Sequence, residues 1–161
     1  MWRRLLSCLA AAATIAAAAC SEPIDLKQSL QAVDITAGWH DAGIVDGKNK
    51  LVPSVTFRLR KSIDREIRPL QLNVVFKRLG GPAEEDWDEV FVPSVTFDGN
   101  QTAPLTVRSD TGYTGDPPQS RADMLRHSAF RDMRVHLYAK HGSAQWVQIA
   151  TIDIPRQLLA R

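Results

Sequence analysis

Four histidines (His40, His127, His136 and His141) and eighteen Asp and Glu side chains carry most of the acid–base and metal-binding capacity of this 161-residue chain. A structural zinc site needs ligands at set spacing, such as two histidines four apart on a helix. No pair here has that spacing: His136 and His141 are five apart across the end of a predicted strand. They read as exposed or strand-edge side chains, and neither a metal nor another cofactor is expected. Trp39-His40-Asp41 sets a bulky ring, an imidazole and a carboxylate side by side. In a loop after the first strand these three could join a recognition surface; the plainer reading has Trp39 plugging one end of the fold and His40 and Asp41 making a turn. Asp110-Thr-Gly-Tyr-Thr-Gly-Asp116 places two carboxylates in a glycine-rich loop. Thr111, Gly112 and Gly115 break the ligand order of a calcium loop, so Asp and Gly are read as supplying turns. With Tyr113 expected to be exposed among them, this loop is the first choice for a contact surface. Nucleophilic catalysis finds less support, because the chain has no G-x-S-x-G elbow and no glycine-rich phosphate cradle.

The elements that must position these residues are strands. Apolar residues recur at every second position in Leu51–Arg60, within Ile67–Arg78, and in Met133–Lys140 and Gln145–Ile154, the period of a half-buried strand. Leu30–Ile35 makes a first strand ending near Ala37-Gly38-Trp39, and shorter strands are expected near Glu89–Val92 and Ala103–Arg108. Pro53 cannot donate to a ladder, so the second strand should begin near its middle or lie at an edge there. The acidic run Glu84-Glu85-Asp86 reads as a loop, and Asp110–Ser120, dense in Gly, Pro and Asp, as irregular chain. Ser120 or Asp123 can cap a short helix from Arg121 to His127. His141-Gly142-Ser143 makes a tight hairpin connection between the last two strands. Val-Pro-Ser-Val-Thr-Phe occurs twice, at Val52–Phe57 and Val92–Phe97, but the flanks share nothing, so the echo is read as local convergence on strand sequence. Together these elements predict an all-β fold, an antiparallel, immunoglobulin-like β-sandwich of about seven strands with one short helix set among the last strands.

The N-terminus carries a different signal. Met1-Trp2-Arg3-Arg4 is followed by fifteen uncharged residues, Leu5 to Ala19, and then Cys20. As a helix these would reach about 22 Å, short of the roughly 30 Å of bilayer hydrocarbon, which fits a secretory signal better than a span. Removal of Arg3 and Arg4 with the signal lowers the 20 Lys+Arg to 18, equal to the 18 Asp+Glu. A balanced domain lacks the field that draws in nucleic acid or anionic lipid. Cys8 leaves with the signal, so Cys20 is the last thiol.

Ala17-Ala18-Ala19-Cys20 resembles the lipobox of bacterial lipoproteins, with Ala17 standing where that family prefers leucine. An ordinary A-x-A cleavage site also fits Ala17 and Ala19. The resemblance implies that Cys20 is diacylated and becomes the new N-terminus, leaving no thiol for a disulfide, zinc or catalysis. Two acyl chains would hold the protein to a membrane, at about 0.8 kcal/mol per buried methylene. Ser21 in place of aspartate then favours the outer membrane, facing the periplasm. The central stretch, Val55–Arg60 leading to Pro69–Phe76 and Gly80-Gly81, resembles the FxLYD family of bacterial envelope domains, although Lys77-Arg78 replaces that family's aspartate. That likeness implies an immunoglobulin-like sandwich without enzymatic activity.

The expected organisation is a signal peptide over 1–19, a lipidated tether over 20–29 and one β-sandwich domain over 30–161. The expected function is a non-catalytic envelope lipoprotein serving as a binding or scaffold module for an envelope protein or the cell-wall polymer. Two alternatives stand beside it. One is a metal-dependent or hydrolytic enzyme using Trp39, His40, Asp41, Asp110 and Asp116; the other is an accessory subunit of an export or assembly complex.

Overall fold

The computed structural model describes residues 22–160, so the signal segment and Cys20 lie outside the described residues. The chain forms α1 (Leu26–Ser29), β1 (Leu30–Val45), β2 (Lys48–Lys61), β3 (Leu70–Arg78), β4 (Glu85–Val95), β5 (Phe97–Asp98), β6 (Gln101–Thr102), β7 (Leu105–Arg108), β8 (Tyr113–Gly115), α2 (Arg121–Arg126), β9 (Met133–His141) and β10 (Val147–Ile154). One sheet, here sheet A, runs β1-β2-β6-β5, with β7 and β8 also paired to β2; the other, sheet B, runs β10-β9-β3-β4. All the named strand pairs are antiparallel. The expected antiparallel β-sandwich is therefore what the chain forms, with ten strands among the described residues in place of about seven.

The period-two pattern explains the core. Val55, Phe57 and Leu59 of β2 are fully buried, as are Leu72, Val74 and Phe76 of β3 and Val135 and Leu137 of β9. Each strand thus turns alternate side chains into the space between the sheets. The two copies of the hexapeptide differ in setting. Val52–Phe57 lies in central β2, whereas at Val95 the second copy leaves edge strand β4 and enters β5 of the other sheet. Both copies keep the same phase, since Val55 and Val95 are alike buried.

Four expectations need correction. The tether does not reach Ser29: Asp25 caps α1 through the N–H groups of Lys27 and Gln28, and Leu26 is buried in the core. The first strand does not stop at Trp39. It runs to Val45 and returns through Asp46-Gly47, both at positive φ, the requirement of a two-residue type I′ hairpin. Glu85 and Asp86 are not loop residues; they begin β4 and form ion pairs with Arg78 and Lys77. Pro53 does not mark the start of β2 but lies inside it, at a local edge of the ladder. β7 pairs with Ser54–Phe57 and β8 with Asn49–Leu51, so the ladder on that side is interrupted beside Pro53. On the other side its partner Trp39 sends its own N–H and C=O to Gln157 and Leu159. The N–H that proline lacks is therefore not needed by either neighbour.

Candidate functional site

The segment from Ser109 to Gln119 crosses the end of the sandwich near the β1–β2 hairpin, held there by ties to both sheets. Ser109 is buried, and its Oγ donates to Asp88 Oδ2 at 2.6 Å. The same oxygen accepts from the N–H of Asp110 at 2.7 Å and of Thr111 at 3.3 Å, while Oδ1 accepts from the N–H of Glu89 at 2.8 Å. Burial works to raise the carboxyl pKa of Asp88, but these hydrogen bonds outweigh it and hold the group below the usual aspartate range. Trp87 Nε1 donates to Thr111 O at 3.2 Å, Lys50 Nζ to Asp110 O at 2.8 Å, and buried Asn49 Nδ2 to Gln119 O at 2.7 Å. Gly112 lies so close to β2 that a Cβ there would stand 2.2 Å from Leu51 O.

This anchoring brings Tyr113 into a cluster of rings. Its ring centroid lies 4.4 Å from that of Phe130, 5.4 Å from Trp87 and 5.7 Å from Trp39, and Trp39 packs edge-on against Phe130 at 4.4 Å. Tyr113 Oη accepts the N–H of Arg131 at 3.1 Å. Over Tyr113 and Phe130 lies a pocket of about 180 Å³, lined by these two rings and Met124 with Thr114, Gln119, His127 and Ala129. The apolar part of the lining comes from β8, α2 and the segment before β9. Ser120 caps α2 by accepting from the N–H of Asp123, and Arg121 Nε reaches Asp41 Oδ1 at 3.2 Å, joining the helix to β1.

The structure unites the two sequence-predicted groups, though not as an open constellation. Trp39 is wholly buried and meets Tyr113 through its ring. Strand alternation turns His40 to the face opposite Trp39 and Asp41, and Asp41 also accepts the N–H of Gly43. Trp39-His40-Asp41 is thus strand, not loop, and Tyr113 is half-buried, not exposed. Asp110 and Asp116 remain at the surface, Asp116 facing Lys48 Nζ at 3.4 Å. Among the described residues no three His, Cys, Asp or Glu side chains are grouped to hold a metal, and no helix is long and apolar enough to cross a membrane. Sequence reasoning missed Asp88, Ser109, Met124 and Phe130. The glycines at 112 and 115 were the available signal, since a Cβ on Gly115 would strike Gln119 and Met124.

No family model, curated protein or solved structure matches the chain.

Proposed function

We propose that this chain is a lipid-anchored, non-catalytic binding module of a bacterial envelope, whose pocket over Tyr113 and Phe130 takes one projecting group of another envelope component. The observation that carries the reading is the pocket itself: rings form its floor, and Thr114, Gln119 and His127 supply polar atoms around it. At about 180 Å³ it is smaller than the several hundred Å³ of pockets that enclose drug-sized ligands. It suits a single side chain or sugar ring presented by something larger. Long loops fixed on a rigid sandwich are common places for such contacts.

The anchor is supported by the lipobox-like Ala17-Ala18-Ala19-Cys20. Residues 22–25 lead into α1 beside the Leu30–Lys61 end of the first hairpin, while β8 pairs with Asn49–Leu51 near its Val45–Lys48 tip. At about 3.3 Å per residue, the ten steps of β2 from Lys61 to Leu51 put β8 roughly 33 Å from the Lys61 end. A tether at Cys20 would therefore hold the pocket away from its own membrane.

The test has two parts. Wild-type protein should incorporate a fatty-acid analogue and fractionate with membranes, whereas Cys20→Ala should do neither. A photo-crosslinking amino acid at Thr114 should capture a discrete neighbour in intact cells, and the same probe at exposed Arg126 should not. Unlabelled Cys20 in a soluble product removes the anchor, and equal capture from both positions removes the pocket.

A further inference from the structure

The outer face of sheet B holds a second surface, independent of the pocket and of the anchor. Register places Phe91, Asn73, Tyr138 and Gln148 in one row across its four strands. Phe91 is 52 % exposed and Trp146, just before β10, 38 % exposed. Their centroids lie 6.2 Å apart with the rings near perpendicular, at 82°. Lys140 Nζ stands 5.7 Å from the Trp146 centroid and makes no ion pair with a carboxylate among the described residues. Asn73 gives its Nδ2 to Glu89, but its Oδ1 is buried without a hydrogen-bond partner.

We propose that this row docks a polysaccharide bearing carboxylates. A pyranose ring offers a small apolar C–H face edged with hydroxyls, which fits exposed rings set among amides and a phenol. A protein partner would need a larger apolar centre, since standard interfaces bury about 800 Å² per side around a well-packed core. Two exposed rings beside half-buried Tyr138, with Gln71 paired to Lys140 and Gln148 bonded to Thr151, do not supply one. The choice of an acidic polymer rests on charge: Lys140, already over Trp146, is the cation available to a carboxylate stacked there.

Affinity electrophoresis of the full-length chain tests this, with polygalacturonate as the acidic polymer and dextran as the neutral one. Wild-type protein should be retarded by polygalacturonate and much less by dextran. Trp146→Ala and Phe91→Ala should each weaken retention at least tenfold with an unchanged thermal midpoint, because both rings are exposed. Lys140→Gln should erase the difference between the two polymers. Ala129→Trp, which fills the pocket, should be retarded like wild type, so the glycan face can fail while the pocket stands, and the reverse. An unretarded wild type, or ring variants that behave like it, overturns the proposal. Equal retention in both gels overturns the acidic specificity.

Discussion

Ser109 Oγ donates to Asp88 Oδ2 at 2.6 Å, and through this contact a carboxylate on sheet B holds the loop that continues from sheet A. Asp88 replaces water for several donors at once, and a charged acceptor makes stronger bonds than a neutral one. Asp88→Ala should cost about 1–2 kcal/mol, the lower part of the range for bonds to charged groups because the site is only half-buried. Urea unfolding at pH 7 measures this.

The same residue predicts a pH dependence. The folded pKa of Asp88 lies below its unfolded value near 3.9, so its contribution is present above about pH 4 and is lost as pH falls through the folded pKa. The stability difference between wild type and Asp88→Asn should therefore shrink from pH 6 to pH 3. A difference that holds constant over that range would show that the charge has no part in it.

Trp39 should separate ring from indole. Its side chain is fully buried, and its Nε1 lacks a hydrogen-bond partner among the described residues. Trp39→Ala should cost about 3–5 kcal/mol as a large-to-small core change. Trp39→Phe should cost far less, under about 1.5 kcal/mol, since it keeps most of the packing and removes a buried donor that is not satisfied. Equal losses in chemical denaturation would mean that the indole N–H is bonded after all.

Two glycines should respond for different reasons. Gly112→Ala should lose about 2 kcal/mol or more, because its Cβ would meet the Leu51 carbonyl, a backbone atom that cannot swing aside. Gly43→Ala meets nothing within 4 Å and pays only for its φ of +82°, about 1 kcal/mol. The order of the two thermal midpoints checks the argument; Gly43→Ala as the worse variant would refute it.

Ala129→Trp tests the pocket directly. Ala129 is exposed and lines the pocket, so an indole there should occupy the space without disturbing the core. Stability should stay within about 0.5 kcal/mol, as for surface changes, while capture from the Thr114 probe should fall severalfold. Undiminished capture would mean that the partner does not enter the pocket.

Fold class was readable because alternation is local. In β3 and β9 each apolar residue that faces inward is separated by one that faces out, and the burial pattern repeats that spacing through Leu70–Phe76 and Met133–Ala139. The first strand, expected to end near Ala37-Gly38-Trp39, runs on through Gly38. The absent side chain of Gly38 admits the C-terminal segment, since a Cβ there would lie 2.9 Å from Gln157 O. Asp46-Gly47 was a visible hairpin signal that would have carried the strand to its full length.

Local pattern by itself thus determined that the chain forms strands, which face of each strand is apolar, and that two sheets must cover one another. The address at Cys20 is likewise a sequence inference, since that segment lies outside the described residues. Only the tertiary structure decided that Asp88 fastens Ser109, Asp110 and Thr111, that Arg121 reaches Asp41, and that Tyr113, packed against Trp39, lines a pocket. The reason is physical: strand period depends on the alternate directions of neighbouring side chains, whereas a site depends on distances between segments far apart in sequence, as Trp39 and Phe130 are. Those distances are set by how the sheets pack and where a backbone is free to approach, which residue spacing alone does not encode.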